Sequence, residues 1–146
     1  MILPTIIGRR EYVSFVDWPI RRIRAKIDTG AYTSALGVAS YELLEKESPR
    51  VRLRLSLSKK HPERVLECDA PVVRMTVVRN SGGVRERRPV IEATVRLGAI
   101  EKKIQLTLTC RKNMRCRMLL GRQALAGEFL VDTARKYVLT TARRKD

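Results

Sequence analysis

Asp28, Thr29, Gly30 and Ala31 follow one another at the end of the strand-like run Ile20 to Ile27. A carboxylate followed by Thr-Gly sits on a tight turn whose backbone amides point back at it. Taken alone it caps that turn. Brought within hydrogen-bond reach of a second carboxylate it becomes an acid–base pair, because the two cannot both ionise and so share one proton. The ionised oxygen then takes a proton from water while the protonated one donates to a carbonyl. The motif occurs once in 146 residues, so if it works as such a pair, a second copy of the chain is expected to supply the other carboxylate.

Two further constellations flank that idea. Met118-Leu119-Leu120-Gly121-Arg122 is an apolar run closed by Gly-Arg, followed by the helical pattern Gln123 to Phe129. Between the two motifs, Pro71 to Val78 and Val84 to Ala93 read as the arms of a long hairpin with Asn80-Ser81-Gly82-Gly83 at its tip. Such a hairpin is able to act as a mobile lid that excludes water from a site. Cys68, Cys110 and Cys116 form an odd set whose spacings, with the single His61, match no common metal motif, and they read as reduced thiols. No metal or cofactor is expected: there is no HExxH and no phosphate-cradling Gly-Lys-Ser/Thr loop.

The elements that must position these residues are strands. Val51 to Leu57 alternates apolar and polar without a fault, and Ile23, Ala25 and Ile27 oppose Arg22, Arg24 and Lys26 in the run leading to Asp28. Lys103 to Thr109 repeats the pattern, and Val72 to Val78 is rich in β-branched residues. Helix is suggested only around Ser40 to Glu47 and around Arg122 to Phe129. One all-β domain over residues 1–146 is expected, with 143–146 as a flexible basic tail. No apolar stretch approaches the ~20 residues that span a bilayer, and Met1 to Gly8 has no basic leader, so the expected location is cytoplasmic and off the membrane.

Charge points to the partner. The chain carries a net +16, and 22 of its 31 basic residues are Arg, the side chain suited to bidentate contact with carboxylates or phosphates. An acidic partner follows. Seven aromatic residues with no basic–aromatic interleaving argue against a nucleic-acid platform.

With these elements in this order, the chain resembles retropepsin-like aspartic proteases, and more closely the RimK-associated, "ATP-dependent zinc protease"-like family. The strings that carry the likeness run nearly end to end. They include Ile7-Gly8-Arg9-Arg10-Glu11, Ala25 to Ala31, Thr33-Ser34-Ala35-Leu36, Glu67 to Val72, Met114 to Arg122 and Ala126 to Asp132. The resemblance implies a closed acid-protease barrel with a flap hairpin and one short helix. It also implies a homodimer with Asp28, Thr29 and Gly30 catalytic at the two-fold axis. Ala31, Tyr32, Ser81, Gly82, Gly83 and Arg122 would line the cleft and flap. Family members often sit beside ATP-grasp ligases that add glutamates to a protein tail, which suggests a glutamate-rich peptide as substrate. Tyr32 stands where viral relatives place an acidic residue, which removes a negative charge and leaves Arg122 without a carboxylate partner. Gly37 follows Leu36 where the family often has His. The alternative is a catalytically idle basic module that binds acidic protein or nucleic acid.

Overall fold

The computed structural model describes residues 3–44, 49–56, 60–61, 63–79, 82–110 and 116–141. Ser81, the proposed 143–146 tail and the 45–47 part of the first expected helix lie outside the described residues.

The protein is almost entirely β-structure. Strands β1 (Thr5–Gly8), β2 (Arg10–Phe15), β3 (Ile23–Ile27), β4 (Ser34–Gly37), β5 (Ser40–Leu43) and β6 (Arg50–Ser56) come first. The long strands β7 (Val65–Arg79), β8 (Arg85–Leu97) and β9 (Ile100–Thr109) follow, then β10 (Met118–Leu120), the one-turn helix α1 (Arg122–Leu125) and β11 (Phe129–Asp132). The main sheet has nine strands in the order β2-β3-β10-β4-β9-β8-β7-β6-β5. An additional β2–β8 pairing joins six of them into a hydrogen-bonded ring, and β7, β6 and β5 extend from it.

Period-two alternation explains the ring's inside and outside. Ile23, Ala25 and Ile27 point inward with Val13, Phe15, Leu36, Leu106, Leu108, Met118 and Leu120, while Arg24 and Lys26 remain exposed. The β8–β9 hairpin closes on Gly98, whose φ of 63° favours glycine at that turn. β7 bends between two partners: its first half pairs with β6, and after a register shift at Val72/Arg74 its second half pairs with β8. The second half and the start of β8 are the two arms of the expected hairpin.

One expected element is corrected. Ser40–Leu43 is strand β5, paired antiparallel with Arg54–Val51 of β6, with Tyr41 packed on the core. The sequence pattern there suits a helix, but an open edge of β6 was available and pairing with it overrode local propensity. The second expected helix is also shorter than its pattern: α1 ends at Leu125, and Phe129 already belongs to β11.

The segment after β11 straps the part of β2 that β8 leaves unpaired. Tyr137 N–H donates to Arg10 O at 2.8 Å, and Tyr12 N–H donates to Thr140 Oγ1 at 2.8 Å. Glu11 organises the strap. Although fully buried, its Oε2 accepts N–H bonds from Gly8 (2.7 Å), Val138 (2.9 Å) and Leu139 (3.1 Å). Its Oε1 accepts the Thr140 N–H at 2.9 Å and the Thr140 hydroxyl at 2.5 Å. Burial pushes this carboxyl up, but the bonds from Gly8, Thr140 and Leu139 outweigh it and hold it below its ordinary value. Among the described residues no helix is long and apolar enough to cross a membrane.

Candidate active site

The Asp28 loop is held by strands far from it in sequence. β10 runs parallel to β3 on one side, pairing Met118 with Ala25 and Leu120 with Ile27. On its other side β10 runs antiparallel to β4, pairing Met118 with Leu36. The loop 28–33 therefore leaves β3, passes over the end of β10 and returns as β4. Asp28 N–H donates to Leu120 O at 2.9 Å, which fixes where the loop departs.

Within the loop the carboxylate is held by its own turn. Gly30 N–H donates to Asp28 Oδ1 at 2.9 Å, and Ala31 N–H reaches Asp28 O at 3.3 Å. A Cβ on residue 30 would lie 3.1 Å from Asp28 Oδ1, tighter than ordinary contact, so glycine gives the amide this approach. Asp28 is half-buried, and Thr29 and Gly30 are exposed.

The Gly-Arg after β10 braces the loop from beneath. The first N–H groups of a helix have no partner inside it. Here Arg122 N–H donates to Ala31 O at 2.7 Å and Gln123 N–H to Tyr32 O at 2.9 Å. Gly121 N–H donates to the hydroxyl of buried Ser34 at 3.0 Å. A Cβ at 121 would sit 2.8 Å from both Ala31 O and Tyr32 O, so only glycine fits between helix and loop. Arg122 Nη1 donates to Thr29 O at 3.1 Å, and its guanidinium lies 5.7 Å from the Tyr32 ring centre. Among the described residues Arg122 has no carboxylate partner; a backbone carbonyl and an aromatic face orient it instead.

The structure thus brings Asp28, Thr29, Gly30, Ala31, Tyr32 and Arg122 into one cluster. Gly82 and Gly83 stand apart from it in sequence and pairing, exposed at the far end of the β7–β8 hairpin. Gly121 lies in the Gly-Arg motif and Ser34 in the Thr33 to Leu36 string, and both act structurally, joined by the Gly121 N–H to Ser34 hydroxyl bond. Ser34 carried a signal: it is a polar residue on the inward face of β4, where a buried hydroxyl needs a partner.

Asp28 has backbone partners, His61 pairs with Glu63, and Cys68 and Cys116 are buried free thiols. Among the described residues no three His, Cys, Asp or Glu side chains converge. Asp28 itself offers one anchored carboxylate oxygen and one without a donor among the described residues. No second carboxylate of the described chain bonds to it.

Residues 6–142 match the model of the RimB-like family, described as retropepsin-like aspartic endopeptidase RimB. The chain belongs to that family. A solved neighbour by fold is a Legionella pneumophila protein of unknown function. It superposes with a TM-score of 0.76 at 26% identity, covering 92% of this chain and 98% of that one. Among named relatives, a probable alpha-L-glutamate ligase of Shewanella pealeana is 33% identical over 135 residues, 92% of this chain. One from Parasynechococcus marenigrum is 33% identical over 140 residues, 95% of this chain. This chain spans only 30% of the length of each of those ligases, so the RimB-like part is one portion of a longer polypeptide there.

Proposed function

We propose that the chain is one half of a homodimeric aspartic endopeptidase that cuts acidic, glutamate-rich polypeptides. The observation that carries this reading is the single Asp28 carboxylate, anchored by the Gly30 amide on a loop braced by Gly121 and Arg122. An anchored carboxylate on a braced loop supports a shared-proton pair to which each chain would give one member.

In the dimer, Asp28 and its mate meet at the two-fold axis. Their proximity prevents both from ionising, as in the aspartic proteases that are the type case of the effect. The ionised carboxylate takes a proton from a trapped water, whose oxygen attacks the scissile carbonyl; the protonated one donates to the carbonyl oxygen. Thr29 steadies the pair from beneath, and Gly30 lets the substrate backbone approach. Ala31, Tyr32 and Arg122 line the cleft, and the β7–β8 hairpin with Ser81, Gly82 and Gly83 closes over it. Residues 1–146 act as one domain without metal or cofactor.

Support for the substrate class is twofold. The chain carries +16, and its relatives bear the name glutamate ligase, whose product is a chain carrying added glutamate. A RimB-like peptidase beside such a ligase, in the cytoplasm, would trim what the ligase extends. The test is incubation of a glutamate homopolymer with wild-type and Asp28→Asn protein, read by mass spectrometry. Wild type should shorten the polymer. The variant should fold and dimerise yet leave it intact; full cleavage by Asp28→Asn would sink the mechanism.

A further inference from the structure

Among the described residues, cations without a carboxylate at ion-pair distance occur on β7 and β8 (Arg74, Arg79, Arg85 and Arg87) as well as on β2 and β3. Ion pairs gather on β6–β9 and at β11: Arg52 and Arg54 with Glu67, Arg96 with Glu101, Lys102 with Glu128, Arg135 with Asp132. The outer face of β2, β3 and β10 is basic and, among the described residues, carries no ion pair at all. Arg10 stands directly across from Lys26, Tyr12 across from Arg24, and Leu119 of β10 flanks Lys26 on the other side. Arg22 lies just before β3 and Arg117 just before β10. Among the described residues none of Arg10, Arg22, Arg24, Lys26 or Arg117 has a carboxylate within ion-pair distance.

The fold holds several of these side chains in place. The Arg22 guanidinium sits 4.1 Å from the centre of the Tyr12 ring and donates to Thr141 O at 2.6 Å. Tyr12 in turn stacks on Tyr137 at 4.8 Å between centroids. Tyr12 stands across from Arg24 in the pairing, and its side chain raises the Arg24 pKa. Arg117 is half-buried, and burial lowers its pKa with no counter-charge to offset the loss of water. A face that removes one guanidinium from solvent while withholding every carboxylate suits an anion supplied from outside.

Spacing identifies that anion. Residues 24, 26 and 28 follow one strand at two-residue intervals, so Arg24, Lys26 and the start of the Asp28 loop succeed one another at roughly 6.7 Å. An extended peptide presents same-side side chains at that same interval. We propose that the outer face of β2, β3 and β10, with Arg10, Lys26, Arg24 and Arg117 at its centre, is the lane on which consecutive carboxylates of an extended acidic polypeptide dock beside Asp28. This inference rests on the proposed peptidase reading for its substrate, but not on cleavage. Nucleic acid fits less well, because the Tyr12 ring is already stacked on Tyr137 and overlaid by Arg22 and offers no free platform for a base.

The test is fluorescence anisotropy with a labelled glutamate decamer, in the Asp28→Asn background so that nothing is cut. The double variant Arg10→Ala/Lys26→Ala should weaken binding about tenfold or more, the worth of one lost charge-assisted contact. A control that removes the same charge elsewhere, Lys60→Ala/Arg64→Ala, should change it less than about twofold, and Arg10→Lys should retain most of it. Far-UV circular dichroism checks that each variant folds. Equal weakening in lane and control variants would reduce the effect to net charge and overturn the proposal. So would a single-stranded RNA whose binding depends on Arg10 and Lys26 while the decamer does not bind. Lane-dependent binding in a wild-type protein that cuts nothing would uphold the lane and refute the peptidase.

Discussion

Replacing Glu11 by Gln should cost this fold more than a same-sized change usually does. The two Glu11 oxygens accept four backbone N–H groups and one hydroxyl in a fully buried setting. Glutamine keeps the shape but turns one oxygen into a donor. Wherever its amide nitrogen falls, at least one backbone N–H faces another donor and loses its acceptor. An orphaned buried donor costs about 1–3 kcal/mol, and the bonds that remain lose their charge assistance. The total is about 2–4 kcal/mol, which lowers Tm by roughly 5–15 °C in a chain of this size. The loss should depend on pH with a definite sign. The folded Glu11 carboxyl lies below its ordinary value of 4.5, so its stabilisation is present above that value and fades as pH falls through the folded pKa. Scanning calorimetry of both proteins from pH 7 to pH 3 reads this directly. The Tm gap should be full at neutral pH and should narrow in acid. A variant within 1 °C of wild type at pH 7, or a gap that widens in acid, would refute the account of Glu11 as the strap's anchor.

Two other perturbations test the brace and the thiols. Gly121→Ala pushes a methyl against the Ala31 and Tyr32 carbonyls at 2.8 Å; it should destabilise by about 1–3 kcal/mol and abolish cleavage of a glutamate polymer, measured by denaturant titration and a product assay. Iodoacetamide at pH 8 should label exposed Cys110 first and leave Cys68 untouched until unfolding, since burial pushes the Cys68 thiol up to about 11; peptide mass spectrometry with time reads the order.

Much of this arrangement was legible in the residue pattern. Strict alternation marked β3, β6 and β9, and the Asn80 to Gly83 turn signals separated two long runs that do pair as a hairpin. Asp28 and Gly121-Arg122 were visible as motifs. Pairing was not: nothing local says that Met118–Leu120 inserts between β3 and β4, because a three-residue apolar strand carries no register of its own. Nor did Ser40–Leu43 announce itself as a strand, since its fate depended on the open edge of β6. Glu11 did leave a trace. It occupies an inward position between Val13 and Ile7, and a lone acid in an apolar alternation has to be answered by donors from elsewhere. Gly8 supplies one of those donors from three residues away, and the others come from residues 138–140, some 127 positions away.

The insertion of β10 has a consequence in time. Chains emerge from the ribosome N-terminal end first, and Met118 lies 90 positions after Asp28. Until that late tripeptide is made, β3 and β4 have an empty slot between them and Asp28 has no Leu120 carbonyl to anchor its amide. A chain not yet extended to Met118 therefore carries Asp28 in a loop without that anchor. The loop's anchoring waits until residues 118–120 have been made.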